Sequence, residues 1–224
     1  MQRIRFRLLI STLVVVFSAS LLPAGQAMAA QVTVLDANGT PLENAVILVE
    51  GVPQRSLPAA VVDQIDMQFL PRVLVVPRDT LVDFPNSDDV RHHVYSFSAA
   101  KRFELRLFKG SDAPPVLFDQ SGAVILGCNI HDSMVGYVLV TDSPWYSHSD
   151  AAGSLPLDQL PPGNWPVSWW HPSLGDAPPE SLGELDLYQL GSLNLAVQPQ
   201  AEASEPVLSP LQQRFRKAGN NGRY

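Results

Sequence analysis

The sequence is poor in cationic residues, and its one long apolar run lies at the N-terminus. Only 15 of 224 residues are Lys or Arg, against 22 Asp or Glu, which gives a formal net charge of −7. This charge argues against a nucleic-acid partner, because proteins that bind nucleic acid present basic surfaces. The sequence also lacks a glycine-rich phosphate loop, paired catalytic carboxylates and a serine–histidine–aspartate order, so nothing in it indicates an enzyme.

The first 30 residues have the three parts of a secretory signal peptide. Arg3, Arg5 and Arg7 precede an apolar run over 8–22, and Ala27-Met28-Ala29 supplies small residues at a cleavage point. Cleavage would leave a periplasmic protein with a net charge of −10. The run is short for a membrane span, which needs about 20 apolar residues. We therefore predict a chain that is not membrane-spanning after cleavage; an uncleaved N-terminal anchor is the alternative.

The remaining sequence predicts an all-β protein. Phe103, Leu105 and Leu107 alternate with charged residues, which is the period-two pattern of a strand with one solvent-exposed face. Turn residues separate this segment from others of similar length, as at 85–88 and 121–122. Many short strands at this spacing favour a β-sandwich. The predicted strands lie within 31–50 and at 72–76, 81–84, 92–98, 103–107, 116–118, 123–128, 135–140, 155–160, 165–171 and 193–197.

Cys128 is the only cysteine. Exported proteins usually use cysteines in disulfide pairs, and a free thiol in an oxidising compartment is open to oxidation. Cys128 is therefore predicted to be either buried and inert or bound to a metal.

Cys128, His131 and Met134 have the spacing C-x-x-H-x-x-M between two predicted strands. So short a loop can present a thiolate, an imidazole and a thioether to one point, and these donors suit copper in both oxidation states. A blue-copper site needs a second imidazole, for which His92 and His93 are candidates. Successive strand side chains point to opposite faces, so only one of the two should bind.

Other polar residues are interpreted as binding no metal. Asp88, Asp89 and Asp132 are read as solvated turn residues rather than a second metal site, and His148 and His171 as residues that are not ligands.

Residues 60–142 resemble the cupredoxins, the family of plastocyanin, amicyanin and pseudoazurin. The resemblance lies in the segment from Phe84-Pro85-Asn86 to His92-His93-Val94 and in the loop Cys128 to Met134. It implies a Greek-key β-sandwich that holds one type 1 copper ion through His92, Cys128, His131 and Met134. His93 stands where the family often has Asn, so the choice between His92 and His93 stays open. Residues 92–98, 101–105 and 127–132 also resemble periplasmic proteins of the methylamine utilisation protein-like group.

The flanking segments resemble a carboxypeptidase regulatory-like, transthyretin-type sandwich. Residues 36–46 are similar to its early strands, and 149–172 to its later ones. The predicted organisation has a cupredoxin domain inserted in, or packed beside, this second small sandwich. Its parts are a signal peptide at 1–30, early flanking strands at 31–55, the cupredoxin domain at 60–142, later flanking strands at 145–198 and a disordered tail at 199–224.

The cupredoxin resemblance implies an electron carrier rather than an enzyme, since four protein ligands leave no open position for a substrate. By the same resemblance, electrons would pass through His131. The acidic charge predicts a redox partner protein with a basic docking face. The alternatives are a copper carrier or sensor without redox turnover, and a non-catalytic binding module with a degenerate cupredoxin.

Overall fold

The computed structural model describes residues 31–54, 60–131 and 133–198, whose regular secondary structure consists almost entirely of short strands. The all-β prediction is confirmed, whereas the predicted signal peptide and tail lie outside the described residues. Within these ranges no helix is long and apolar enough to cross a membrane. The strands are β1 Gln31–Leu35, β2 Val46–Val49, β3 Asp63–Ile65, β4 Gln68–Leu70, β5 Val73–Pro77, β6 Thr80–Val82, β7 His92–Ser96, β8 Phe103–Phe108, β9 Val116–Phe118, β10 Gly122–Cys128, β11 Val135–Thr141, β12 Trp145–His148, β13 Ser154–Pro156, β14 Trp165–Trp170, β15 Glu180–Leu185 and β16 Ser192–Asn194, with 3-10 helices at Pro172–Leu174 and Leu187–Gln189.

Strands β3 to β11 form one β-sandwich, the inner sandwich. Its main sheet has the order β5-β11-β10-β7-β8, with β5 parallel to β11 and the other pairs antiparallel. The hairpin β3-β4 and the pair β6-β9 supply further strands, and one buried core contains side chains from all of these sheets. Along β10, the alternating residues Val124, Leu126 and Cys128 all point into this core.

The strands before and after this block form a second sandwich, the outer sandwich. One sheet has the order β13-β1-β16 and the other β12-β2-β14-β15. Between them lies a separate core that includes Val32, Ile47, Trp145 and Leu155, all fully buried. A second small sandwich therefore packs beside the first, and its first two strands are separated in the chain from the rest by the whole inner sandwich.

Strand β2 is buried on both faces because it belongs to both packing layers. Ile47 and Val49 face the outer core, while Val46 and Leu48 pack against the main sheet of the inner sandwich. The hydroxyl of Tyr146 also donates a hydrogen bond of 3.0 Å to the carbonyl of Val75 across this boundary. The boundary cluster consists of Val46, Leu48, Val73, Val75, Ala123, Leu139, Tyr146 and Trp170.

Candidate metal centre

Strand β7 places its two histidines on opposite faces. His92 is 0% exposed and lies on the buried face with Val94. The His93 ring lies on the other face, where its Nε2 is 2.9 Å from Oε1 of Glu104. The alternation of the strand thus directs His92, and not His93, towards Cys128.

Cys128 is the last residue of β10, and its side chain is 4% exposed. It pairs with Val94 in the neighbouring strand β7, which brings the ends of the two strands together. The Cys128 Sγ atom lies 3.8 Å from Nδ1 of His92 and 3.8 Å from Nδ1 of His131. Cys128 is thus both buried and in contact with two imidazole nitrogens.

The donor atoms of His92, Cys128 and His131 all lie within 4.8 Å of one another. Metal bonds of about 2.0 Å to nitrogen and about 2.3 Å to sulfur, at an angle of about 120°, separate the two atoms by about 3.7 Å. The observed separations of 3.8 Å match that spacing. One ion could therefore bind all three donors in a near-trigonal set.

Met134 closes the loop that carries Cys128 and His131. Its backbone N–H donates a 2.9 Å hydrogen bond to the carbonyl of His131, which turns the chain into β11. The side chain is 1% exposed and belongs to the same buried core as Cys128. The structure thus brings the fourth predicted residue to the same end of the inner sandwich.

Asp88 lies against the far side of the His92 ring. Its Oδ2 atom is 2.6 Å from His92 Nε2, and its two oxygens also accept hydrogen bonds from the N–H groups of Asp66, at 2.6 Å, and Met67, at 2.9 Å. The interpretation of Asp88 as a solvated turn residue is therefore wrong, because its side chain is 11% exposed and has three donors. Asp89 is exposed and Asp132 lies outside the described residues.

The charge state of Asp88 favours one tautomer of the His92 ring. Burial raises the pKa of Asp88, but hydrogen bonds from Met67 N–H, the His92 ring and Asp66 N–H outweigh burial and hold this pKa below its ordinary value. The carboxylate is therefore ionised and suited to accept a hydrogen bond from Nε2 of His92. In the tautomer that carries its proton on Nε2, the lone pair of Nδ1 faces Cys128.

The loop between β6 and β7 is held in shape by Asn86, which is buried. Its side-chain amide donates to the carbonyls of Val90 at 3.0 Å and Phe108 at 2.9 Å, and its oxygen accepts the N–H of Asp88 at 3.0 Å. These bonds set the position of Asp88 relative to the start of β7. Asn86 belongs to the segment that carries the cupredoxin resemblance, but no role at the site was predicted from sequence for Asn86 or for Asp88.

No protein-family model matches the chain, and no curated protein sequence does. Among solved structures, the chain is similar to a novel purple cupredoxin from Nitrosopumilus maritimus, with 23% identity, 37% of this chain and 99% of that chain covered, and a TM-score of 0.34. It is similar to a reduced mutant of amicyanin, with 24% identity and a TM-score of 0.34; the match covers 44% of this chain and 100% of that chain. It is also similar to the Cu-containing nitrite reductase from Thermus scotoductus SA-01, with 21% identity and a TM-score of 0.36; the match covers 49% of this chain and 28% of that chain.

These similarities cover less than half of this chain in each case. The two-sandwich fold described above is established by its own strand pairing and cores. The resemblance of the flanking strands to a carboxypeptidase regulatory-like module, and that of the chain to the methylamine utilisation protein-like group, stay predictions.

Proposed function

We propose that this protein is a periplasmic electron carrier with one type 1 copper ion, held by His92, Cys128, His131 and Met134. The observation that supports this proposal is the 3.8 Å spacing of the Cys128 sulfur from both imidazole nitrogens. A thiolate and two imidazoles with a weak thioether suit copper in both of its oxidation states. Zinc fits less well, because a thioether is a poor ligand for it.

Bound copper would supply the one-electron couple between Cu(I) and Cu(II). The protein's contribution is to hold the donors in one arrangement in both states, so that little has to move when the charge changes. Asp88 orients the His92 ring, and the pairing of β10 with β7 positions Cys128. The turn from His131 to Met134 fixes the rest of the loop.

The burial of the donors favours electron exchange over substrate turnover. His92 and Cys128 are buried, and His131 is the only one of the three clustered donors that is partly exposed. We place the exchange of electrons with a partner at the His131 ring. Four protein ligands leave no position for a substrate, so the proposed protein is a carrier and not an enzyme.

The partner is proposed to be a redox protein with a basic docking face. The chain has a net charge of −7, and unlike charges on two proteins speed their encounter. This attraction weakens with ionic strength, so the rate of electron exchange should fall as salt is added.

The deciding experiment is metal analysis of the purified protein with a visible spectrum before and after ascorbate. We expect one copper per chain, intense visible absorption with Cu(II), and loss of that absorption on reduction. Cys128→Ala and His92→Ala should abolish the absorption. His93→Ala is the matched control and should retain it, because His93 lies on the opposite face of β7. A colourless Cu(II) complex of the unaltered protein would rule out this type of site.

A second measurement separates an electron carrier from a copper carrier. An electron carrier should cycle reversibly between its two states, exchange electrons rapidly between copies and keep its metal throughout. Ready loss of Cu(I) to an excess of a metal-free acceptor protein, with slow electron exchange, would contradict the electron-transfer proposal.

A further inference from the structure

We propose that Met67, with Met134 and His131, forms an entry site through which Cu(I) reaches the buried donors. This inference rests on the copper site proposed above, and it adds a second role for the same end of the inner sandwich. Met67 is not one of the four residues assigned to the final site.

A cavity of about 460 Å³ lies beside the donor cluster, and Met67, His131 and Met134 all line it. Met67 is 50% exposed, whereas Met134 is 1% exposed. One thioether is therefore accessible to solvent and the other is buried, with the His131 imidazole lining the same space. They are the only methionines within the described residues, since the other two of the four are Met1 and Met28.

Met67 occupies a backbone conformation that is unfavourable for its residue type. It follows Asp66 in the two-residue turn between β3 and β4, and both residues have positive φ, 51° at Asp66 and 58° at Met67. Turns of this kind favour Asn-Gly, because a larger side chain is crowded at positive φ. A half-exposed methionine at such a position, beside a candidate metal centre, points to a functional use of its side chain.

The turn is also tied to the donor cluster. Both oxygens of Asp88 accept hydrogen bonds from the backbone of this turn, and Oδ2 also contacts the His92 ring. One carboxylate therefore positions the Met67 backbone and the His92 imidazole together. The entry site and the final site share a fixed geometry.

The donors of the cavity select a soft cation. Thioether sulfur prefers Cu(I) to harder ions such as Mg²⁺ or Ca²⁺. Asp66 and Arg72 also line the cavity. Because their charges are opposite, the choice of metal ion depends on the sulfur and nitrogen donors and not on a net charge of the cavity. Transfer is a ligand exchange without electron transfer: Cu(I) held by Met67, His131 and Met134 loses its bond to the Met67 sulfur as it gains bonds to His92 and Cys128. Cys128 then binds as the thiolate, and its proton passes to solvent.

The test is the rate at which metal-free protein takes copper from a coloured Cu(I)–bicinchoninate complex. Met67→Leu removes the sulfur at similar volume, and Met67→Asn removes it while suiting positive φ. We expect both variants to take up Cu(I) about tenfold more slowly. Their final copper content and the visible spectrum of their Cu(II) form should equal those of the unaltered protein. Leu70→Ala, an exposed change on the neighbouring strand β4 and outside the cavity lining, should load at the unaltered rate.

The outcomes distinguish this inference from the proposed function. Equal uptake rates in all variants would overturn the entry site and leave the copper site standing. An unaltered protein that takes up no copper would overturn both. Met67→Asn should be more stable than Met67→Leu, although both lack the sulfur. If copper uptake is slow in Met67→Leu but normal in Met67→Asn, the rate depends on stability and not on the sulfur, and the entry site would also be overturned.

A direct measurement uses Ag(I) as a redox-inactive probe of the same site. The protein is labelled with ¹³C in its methionine methyl groups and carries Cys128→Ala to remove the thiolate. Ag(I) should shift the Met67 methyl resonance, which is assigned by its absence in Met67→Leu. An unshifted Met67 resonance at saturating Ag(I) would overturn the inference.

Discussion

The carboxylate of Asp88 and the Nε2 atom of His92 lie 2.6 Å apart, so that a buried imidazole is oriented by an acidic residue four positions earlier. The same carboxylate accepts two backbone N–H groups of the β3-β4 turn. A metal ligand oriented in this way depends on its hydrogen-bond partner nearly as much as on its own bond to the metal.

We therefore predict that Asp88→Asn weakens copper binding. The two oxygens of Asp88 contact the N–H groups of Asp66 and Met67 and the His92 ring. In Asn an NH₂ group replaces one of these oxygens, and because this group cannot accept, one of the present hydrogen bonds is lost. The affinity should fall about 10- to 100-fold, measured by competition with a chelator of known copper affinity. Asp89→Asn is the control. Asp89 is the next residue but is exposed, so this variant should bind copper with unaltered affinity. Equal losses in the two variants would contradict the role given to Asp88.

The second prediction concerns Gly127, which precedes Cys128. A Cβ atom at Gly127 would lie 2.8 Å from Cζ of Tyr95, whose ring crosses this position from β7. Because the contacted atoms are the far end of a half-buried ring that can shift, Gly127→Ala should lower the free energy of unfolding by only about 1 kcal/mol, measured by urea denaturation. Gly191→Ala provides the control, because nothing lies within 4 Å of that Cβ position. Combining Gly127→Ala with Tyr95→Ala should cost less than the sum of the two single changes.

The third prediction concerns the boundary between the two sandwiches. Leu139→Ala removes a buried side chain from the boundary cluster and should destabilise the protein by about 2–5 kcal/mol. All four tryptophans lie in the outer sandwich, so their fluorescence reports its unfolding, while copper absorption reports that of the inner sandwich. The two signals should coincide in the unaltered protein and separate in the variant. Coincident signals in Leu139→Ala would show that this cluster does not couple the sandwiches.

The fourth prediction concerns the pH dependence of stability through His171. Burial lowers the pKa of His171 below 6.5; the nearby Arg72 lowers it further, and the hydrogen bond to the Glu43 carbonyl opposes both. The unfolded chain therefore takes up this proton first, and the free energy of unfolding should decrease as the pH falls below about 6.5. His171→Asn should show a smaller decrease over the same range. An identical pH profile in the two proteins would contradict this assignment.

The strands that carry the site could be predicted because their patterns are local. Segments 92–98, 103–107, 123–128 and 135–140 alternate or are bounded by turn residues, and they correspond to β7, β8, β10 and β11. The hairpin β3-β4 was missed because its strands have three residues each and its turn, Asp66-Met67, lacks the usual Asn or Gly. Strand β15 was missed because most of its residues are exposed and give no alternating pattern.

The candidate site was predictable to the extent that it lies in one loop. Cys128, His131 and Met134 are close in sequence, so their spacing was visible, and the alternation of β7 separates His92 from His93. The contribution of Asp88 was not visible, because it depends on the turn at Asp66 and Met67, which long-range folding brings to it. Hydrogen bonds between distant segments leave no periodic pattern in a sequence.

The placement of β2 has a consequence for the order in which the protein acquires its structure. β2 leaves the ribosome early, yet its neighbours in the sheet, β12 and β14, follow more than ninety positions later. Joining such distant partners directly would carry a large loop-closure entropy, which the intervening strands reduce once they have collapsed into a compact unit. The inner sandwich should accordingly fold first. Its folding brings β2 close to β12 and β14, so that the outer sandwich can then form.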